Sequence, residues 1–119
     1  MSHLFEGYYS LDSIDLFNFI TTSVTDMSYM FPECSYLQSI SISTFNTQDV
    51  TNMTEMFYKC QSLISLNLST FNTSNVLDMS EMIYDCNSLK IIDISNFDMI
   101  KCDFFNGMFY NINNITILI

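Results

Sequence analysis

Residues 30–55 read MFPECSYLQSISISTFNTQDVTNMTE and residues 56–81 read MFYKCQSLISLNLSTFNTSNVLDMSE. The Met-Phe pair that opens both recurs at Met108-Phe109, with Met82-Ile83 between, so the step is 26 residues each time with no insertion or deletion. A chain that repeats throughout on a fixed period of this size predicts an array of stacked units, each too small to bury its own apolar face. The units are 4–29, 30–55, 56–81, 82–107 and a partial unit 108–119, all within a single repeat domain spanning 1–119.

Within each unit an L-x-x-L-x-L core appears as Leu11/Ile14/Leu16, Leu37/Ile40/Ile42, Leu63/Leu66/Leu68 and Leu89/Ile92/Ile94, and restarts at Ile115/Leu118. Alternation of apolar and polar residues in its second half is the signature of a short, half-buried strand, and strands from successive units are expected to stack in parallel. The rest of the unit changes period. Val50, Met53, Met56, Phe57, Cys60 and Leu63, like Val24, Met27, Met30, Phe31, Cys34 and Leu37, are spaced as the apolar stripe of a short helix. Ser23, Asp49 and Asn75 precede that stripe as N-cap residues, and Asp26 and Asp78 stand where a capping box needs an acid. Phe19, Phe45, Phe71 and Phe97 plug the turn between strand and helix, with neighbouring Thr and Asn side chains bonding the turning backbone. The fold class expected is α/β: a leucine-rich-repeat solenoid with a parallel sheet on the concave side and short helices on the convex side.

The consensus MFxxCxxLxxLxLSxFxTxxVTxM resembles the BspA-like leucine-rich-repeat surface proteins. The resemblance covers residues 4–119 and is strongest in the second and third units. The first unit departs from it at Tyr8 and Phe17, and the fourth at Met99, Lys101, Cys102 and Phe105. It implies a curved, right-handed array displayed at the cell surface or secreted, used for adhesion, with no catalytic residues. The N-terminal segment Met1–Glu6 has neither the basic nor the apolar region of a secretory signal. No apolar run approaches the 18 residues a membrane-spanning helix needs.

Composition narrows the chemistry. Thirteen acids against three lysines give a net charge of −10. Nucleic acid and anionic membranes are poor partners for such a chain, because contacts to phosphate need Lys and Arg. Hydrophobic residues make up 49% and aromatic residues 15%, which excludes a disordered chain. Only two glycines and one proline are present, so few positions with positive φ are expected, and Asn, Asp and Ser must serve at the corners. His3 is the sole histidine, and no nucleophile–base pair or phosphate-cradling glycine loop can be assembled, so an enzyme is not expected. Cys34, Cys60 and Cys86 form one column. A disulfide or metal ladder is one reading, but single cysteines 26 residues apart lack the paired spacing of zinc ligands, and buried core thiols are favoured. The methionine columns are read as core filling rather than thioether ligands. No metal or cofactor is expected. Asn52, Asn67, Asn72 and Asn114 each open an N-x-S/T triplet, which matters only in a protein secreted by a eukaryote.

If Leu66 and Leu68 point inward, their neighbours form an outward strand face. Its residues are Ser13 and Asp15, Ser39 and Ser41, Ser65 and Asn67, and Ile91 and Asp93. This face is the expected docking surface for a protein partner, the alternative being a merely solvated sheet face. The function expected is a non-catalytic binding or adhesion module; a structural spacer within a longer array is the competing reading. The apolar terminal stretch Ile115–Ile119 is expected to form an exposed edge strand through which the chain self-associates.

Overall fold

The computed structural model describes residues 1–119. The regular secondary structure consists of three strands, β1 (Ser65–Asn67), β2 (Ile91–Asp93) and β3 (Thr116–Leu118), paired in parallel in the order β1-β2-β3. No helix forms anywhere. The chain is therefore not the leucine-rich-repeat solenoid with convex helices that its pattern predicts. The strands are also fewer than expected, since the stretches around Leu16 and Ile42 stay irregular.

The stripes expected to be helical are instead chains of tight turns. Val50 N–H donates to the Thr47 carbonyl, Met56 to Met53, Cys60 to Phe57 and Leu63 to Cys60, each closing a four-residue turn. A buried side chain sits at each corner, so the apolar residues recur every third position. That spacing mimics one side of a helix without requiring one.

The remaining amides leave the coil altogether. Met53, Glu55, Phe57 and Lys59 donate to the carbonyls of Asp78, Ser80, Met82 and Tyr84 in the following coil. One coil earlier, Met27, Tyr29, Phe31 and Glu33 donate to Asn52, Thr54, Met56 and Tyr58; one coil later, Met79, Glu81, Ile83 and Asp85 donate to Phe104, Asn106, Met108 and Tyr110. A helix would direct the same amides four residues back within their own segment.

Two columns of left-handed residues make this ladder possible. His3, Tyr29, Glu55 and Glu81 have φ between 51° and 57°, and Gly107 continues their column at 66°. Glu33, Lys59, Asp85 and Asn111 form the second column at 56–60°, with Gly7 at 84°. The scarcity of glycine was thus no guide to positive φ. A non-glycine residue held there costs about 1–2 kcal/mol. In each internal coil that cost is opposed by an inter-coil hydrogen bond from the same residue, worth about 1 kcal/mol. It is opposed further by burial of the Met and Phe between the two columns, about 1.5–3 kcal/mol each.

The expected helix caps have other tasks. Asp26 Oδ1 accepts from the Ser28 amide at 2.9 Å, Asn52 Oδ1 from Thr54 at 2.9 Å and Asp78 Oδ1 from Ser80 at 2.8 Å, each closing a side-chain turn rather than a capping box. Ser23 is itself at φ 78°, and Asn75 Nδ2 donates to the Gln48 carbonyl in the preceding coil.

The core is a set of columns running through the stack. Met27, Met53 and Met79, Phe31 and Phe57, Cys34, Cys60 and Cys86, and Leu37, Leu63 and Leu89 are all without solvent exposure. Phe5, Phe31 and Phe57 stack with centroids 5.2 and 5.5 Å apart. Thr21, Thr47 and Thr73 form a buried polar column. Each Oγ1 donates to a carbonyl in the next coil (Asn46, Asn72 and Asp98 at 3.0–3.1 Å) and accepts from the same residue's amide at 2.7–2.8 Å. No buried side-chain polar atom lacks a partner.

The last coil departs from the expected register. Ile92 lies opposite Leu66, but β3 places Ile117 rather than Leu118 opposite Ile92. Register is fixed where one face is buried. Nothing covers β3, and Ile117 and Leu118 are 40% and 42% exposed, so neither alignment is favoured by burial.

Candidate binding surface

Ser13, Asp15, Ser39, Ser41, Ser65, Asn67 and Ile91 are exposed and Asp93 is half-buried. Only Ser65, Asn67, Ile91 and Asp93 lie on regular strands. Alternation puts Leu66 and Ile92 inward, at 2% and 0% exposure, and leaves their neighbours facing out.

Three side chains in this face are already committed to the backbone. Asp15 Oδ1 accepts from the Phe17 amide at 2.9 Å, Asn67 Oδ1 from Ser69 N at 2.9 Å and Ser69 Oγ at 2.7 Å, and Asp93 Oδ1 from Ser95 N at 3.0 Å. Bonds from the Ser95 hydroxyl and amide hold the Asp93 carboxyl below its usual range. The turns at Asn67 and Asp93 end β1 and β2, and all three fix the orientation of the acceptor. Ser39, Ser41 and Ser65 make no side-chain hydrogen bond and remain free to donate or accept. Beside them Phe17 is 76% exposed, at the rim of a hollow of about 230 Å³ that it shares with Asp15, Ser41 and Ser43.

A second surface escaped the sequence reading. Tyr58, Tyr84 and Tyr110 stack at 5.0 and 4.8 Å between ring centroids. Lys59 Nζ lies 5.0 Å from the Tyr58 ring centre and 4.0 Å from the Glu33 carboxylate. Asp85 accepts from Gln61 at 3.2 Å and from Asn111 at 2.5 Å. Partial desolvation opposes ionisation of Asp85, yet these bonds outweigh it and lower its pKa. The signal was present, since tyrosine recurs at the 26-residue step. In this ladder the ring faces cover one another, leaving edges and hydroxyls to solvent.

The thiols form no reactive centre. Cys34, Cys60 and Cys86 are buried and unpaired, and Cys60 and Cys86 Sγ each donate to a carbonyl of the preceding coil at 3.1 Å. Burial pushes Cys34 up to about 11 and Cys86 up to about 12. His3 stacks on Tyr29 at 4.7 Å and bonds Glu6 at 2.7 Å, on the surface. No three acidic, histidine or cysteine side chains converge as metal ligands. No helix is long and apolar enough to cross a membrane.

Against known families, residues 1–118 match the model described as Mycoplasma protein of unknown function, DUF285. The chain belongs to this family. No curated protein and no solved structure matches it. Membership in the family assigns no activity.

Proposed function

We propose that this member of the family is a non-catalytic protein-binding module, of the kind used for adhesion by the BspA-like proteins its repeats resemble, and that the strand face from Ser13 to Asp93 is its docking surface. The observation carrying this reading is the preorganised face itself. Acceptors on Asp15, Asn67 and Asp93 are fixed by the backbone beside free serine hydroxyls. Phe17, 76% exposed, supplies an aromatic anchor at one edge. Groups already held in place lose little freedom when a partner binds, and a few aromatic anchors carry most interface energy.

The test uses Ser41→Arg with Ser65→Arg. Both positions are exposed and their hydroxyls bond to nothing, so the fold is expected to survive. Asn67 is spared because it closes a turn. Panning a phage-displayed peptide library against both proteins should enrich binders on the parent that the double variant fails to retain. Equal retention by a folded double variant places binding elsewhere.

A spacer remains the second reading. It is favoured by the saturation of every buried polar side chain and by the continuous columns, which suit a stiff rod. A spacer predicts no enrichment on the parent.

A further inference from the structure

The tyrosine ladder stops at Tyr58. Tyr84 lies between Tyr58 and Tyr110, but Tyr58 has a tyrosine on one side only. One 26-residue step earlier the column holds Pro32, which is buried, and before it Glu6. The proline ring is smaller than a tyrosine ring, and beside it a hollow of about 160 Å³ opens on the flank of the stack. Tyr9, Tyr29 and Tyr58 give this hollow aromatic walls, and Glu6, Glu33 and Glu55 give it acidic ones.

The three carboxylates come from three successive coils, and each is only partly used. Glu6 Oε2 bonds the His3 ring at 2.7 Å, Glu55 Oε1 accepts from the Tyr29 hydroxyl at 2.6 Å, and Glu33 Oε1 lies 4.0 Å from Lys59 Nζ. The second oxygen of each accepts no bond from the chain. Glu33 and Glu55 stand on fixed backbone, since their amides donate to the Tyr58 and Ser80 carbonyls of the following coil.

Negative charge and electron-rich rings at one place select a cation. The molecule's own nearest cation already obeys this, because Lys59 Nζ sits 5.0 Å from the Tyr58 ring centre. The volume sets the size of the guest. Sites for small molecules occupy about 300–1,000 Å³, so this hollow has room for one side chain. A guanidinium suits it better than an ammonium. It is flat enough to lie against a ring, forks onto carboxylates and gives up its hydration more readily. This chain contains no arginine, so the guest belongs to a different protein, and the net charge of −10 draws basic segments towards it.

We propose that this hollow takes one arginine side chain from a basic segment of a partner protein, with the guanidinium against Tyr58 and forked onto Glu33 and Glu55. Lys59 is its built-in competitor for Glu33. The hollow shares no residue with the strand face, so the two surfaces stand or fall separately.

NMR titration of the full chain with N-acetyl-arginine amide, at fixed ionic strength, tests this. The Tyr29, Glu33, Glu55 and Tyr58 amides should shift together and saturate at about millimolar concentration. The neutral citrulline analogue should leave them unmoved, and the lysine analogue should bind several-fold more weakly. Glu33→Gln with Glu55→Gln keeps the shape and should weaken binding about tenfold or more. Asp12→Asn with Asp49→Asn removes the same charge elsewhere and should cost less than about twofold. Lys59→Gln frees Glu33 and should tighten binding about twofold. Tyr58→Leu should weaken it about threefold, and Tyr58→Phe, which keeps the ring, should not. The ligand series needs no variant, so it decides the matter even where one fails to fold. No shift at these amides, equal binding of the citrulline or lysine analogue, equal loss in the two charge-removing pairs, weaker binding by Lys59→Gln, or full binding by Tyr58→Leu would each overturn the assignment.

Discussion

Replacing Thr47 by Val removes one hydroxyl from the buried threonine column and almost nothing else. The two side chains have the same shape, so no cavity opens. Thr47 is 1% exposed, donates to the Asn72 carbonyl at 3.0 Å and accepts from the Asn72 amide at 2.8 Å. Both backbone groups lose their partner at once. A hydrogen bond is worth about 1 kcal/mol net, and a buried group left unpaired costs about 1–3 kcal/mol. Asn72 lies partly at the surface, so water recovers some of this, and the expected loss is about 2–3 kcal/mol. Thr51→Val is the control. Thr51 is exposed and its hydroxyl makes one 3.2 Å bond to the Thr25 carbonyl, so the loss there should stay under about 0.5 kcal/mol. Urea unfolding followed by tyrosine fluorescence measures both, with an unchanged denaturant slope showing that the same surface unfolds. A Thr47→Val loss no larger than that of Thr51→Val would refute the claim that these hydroxyls tie the coils together.

Further expectations follow from the same geometry. Glu81 sits at φ 54°, so Glu81→Gly relieves strain of about 1–2 kcal/mol against a flexibility cost of about 0.5–1 kcal/mol; stability should hold or rise in the same assay, whereas a helix interior would lose about 1 kcal/mol. Gly107→Ala should destabilise, because φ is 66° there and an added Cβ would lie 3.2 Å from Glu81 Cγ. The thiols make stability fall in alkali. Burial raises Cys34 to about 11 and Cys86 to about 12 against 9.0 when unfolded, so above pH 9 the unfolded chain sheds protons that the folded one keeps. Melting temperature should be insensitive to these groups below pH 8 and should drop progressively from pH 9 towards 11. In the native protein a thiol reagent should modify Cys102, which is only half-buried, well before Cys34, Cys60 and Cys86; equal rates would contradict the buried thiol column.

The 26-residue period and the buried columns were readable directly, because stacking places chemically alike residues over one another. Val50, Met53, Met56, Phe57, Cys60 and Leu63 are all fully buried, as their apolar character required. Their backbone was not readable. A three-residue apolar step arises from a helix side or from linked four-residue turns, and hydrophobicity cannot separate the two. What decides between them is the left-handed backbone at Glu55, Lys59 and Glu81, residue types that carry no local signal for positive φ. Asp26 and Asp78 were misassigned for a related reason. An acid that caps a helix and one that closes a turn both bond a nearby amide, and only the distance along the chain distinguishes them. On the candidate site, Ser39, Ser41, Ser65 and Asn67 are all exposed, but only Ser65 and Asn67 lie on a strand. Strand alternation could not show that Asp15, Asn67 and Asp93 would be bound to the backbone two residues on. The tyrosine ladder follows the same 26-residue step, at positions 58, 84 and 110.

Hydrogen bonding between coils, in place of helices within them, is most directly tested by NMR scalar coupling across the bond made by the Phe57 amide. The structure predicts a coupling to the carbonyl carbon of Met82, whose oxygen lies 2.9 Å away in the next coil. A coupling to the Met53 carbonyl, four residues back, would show a helix and contradict the account.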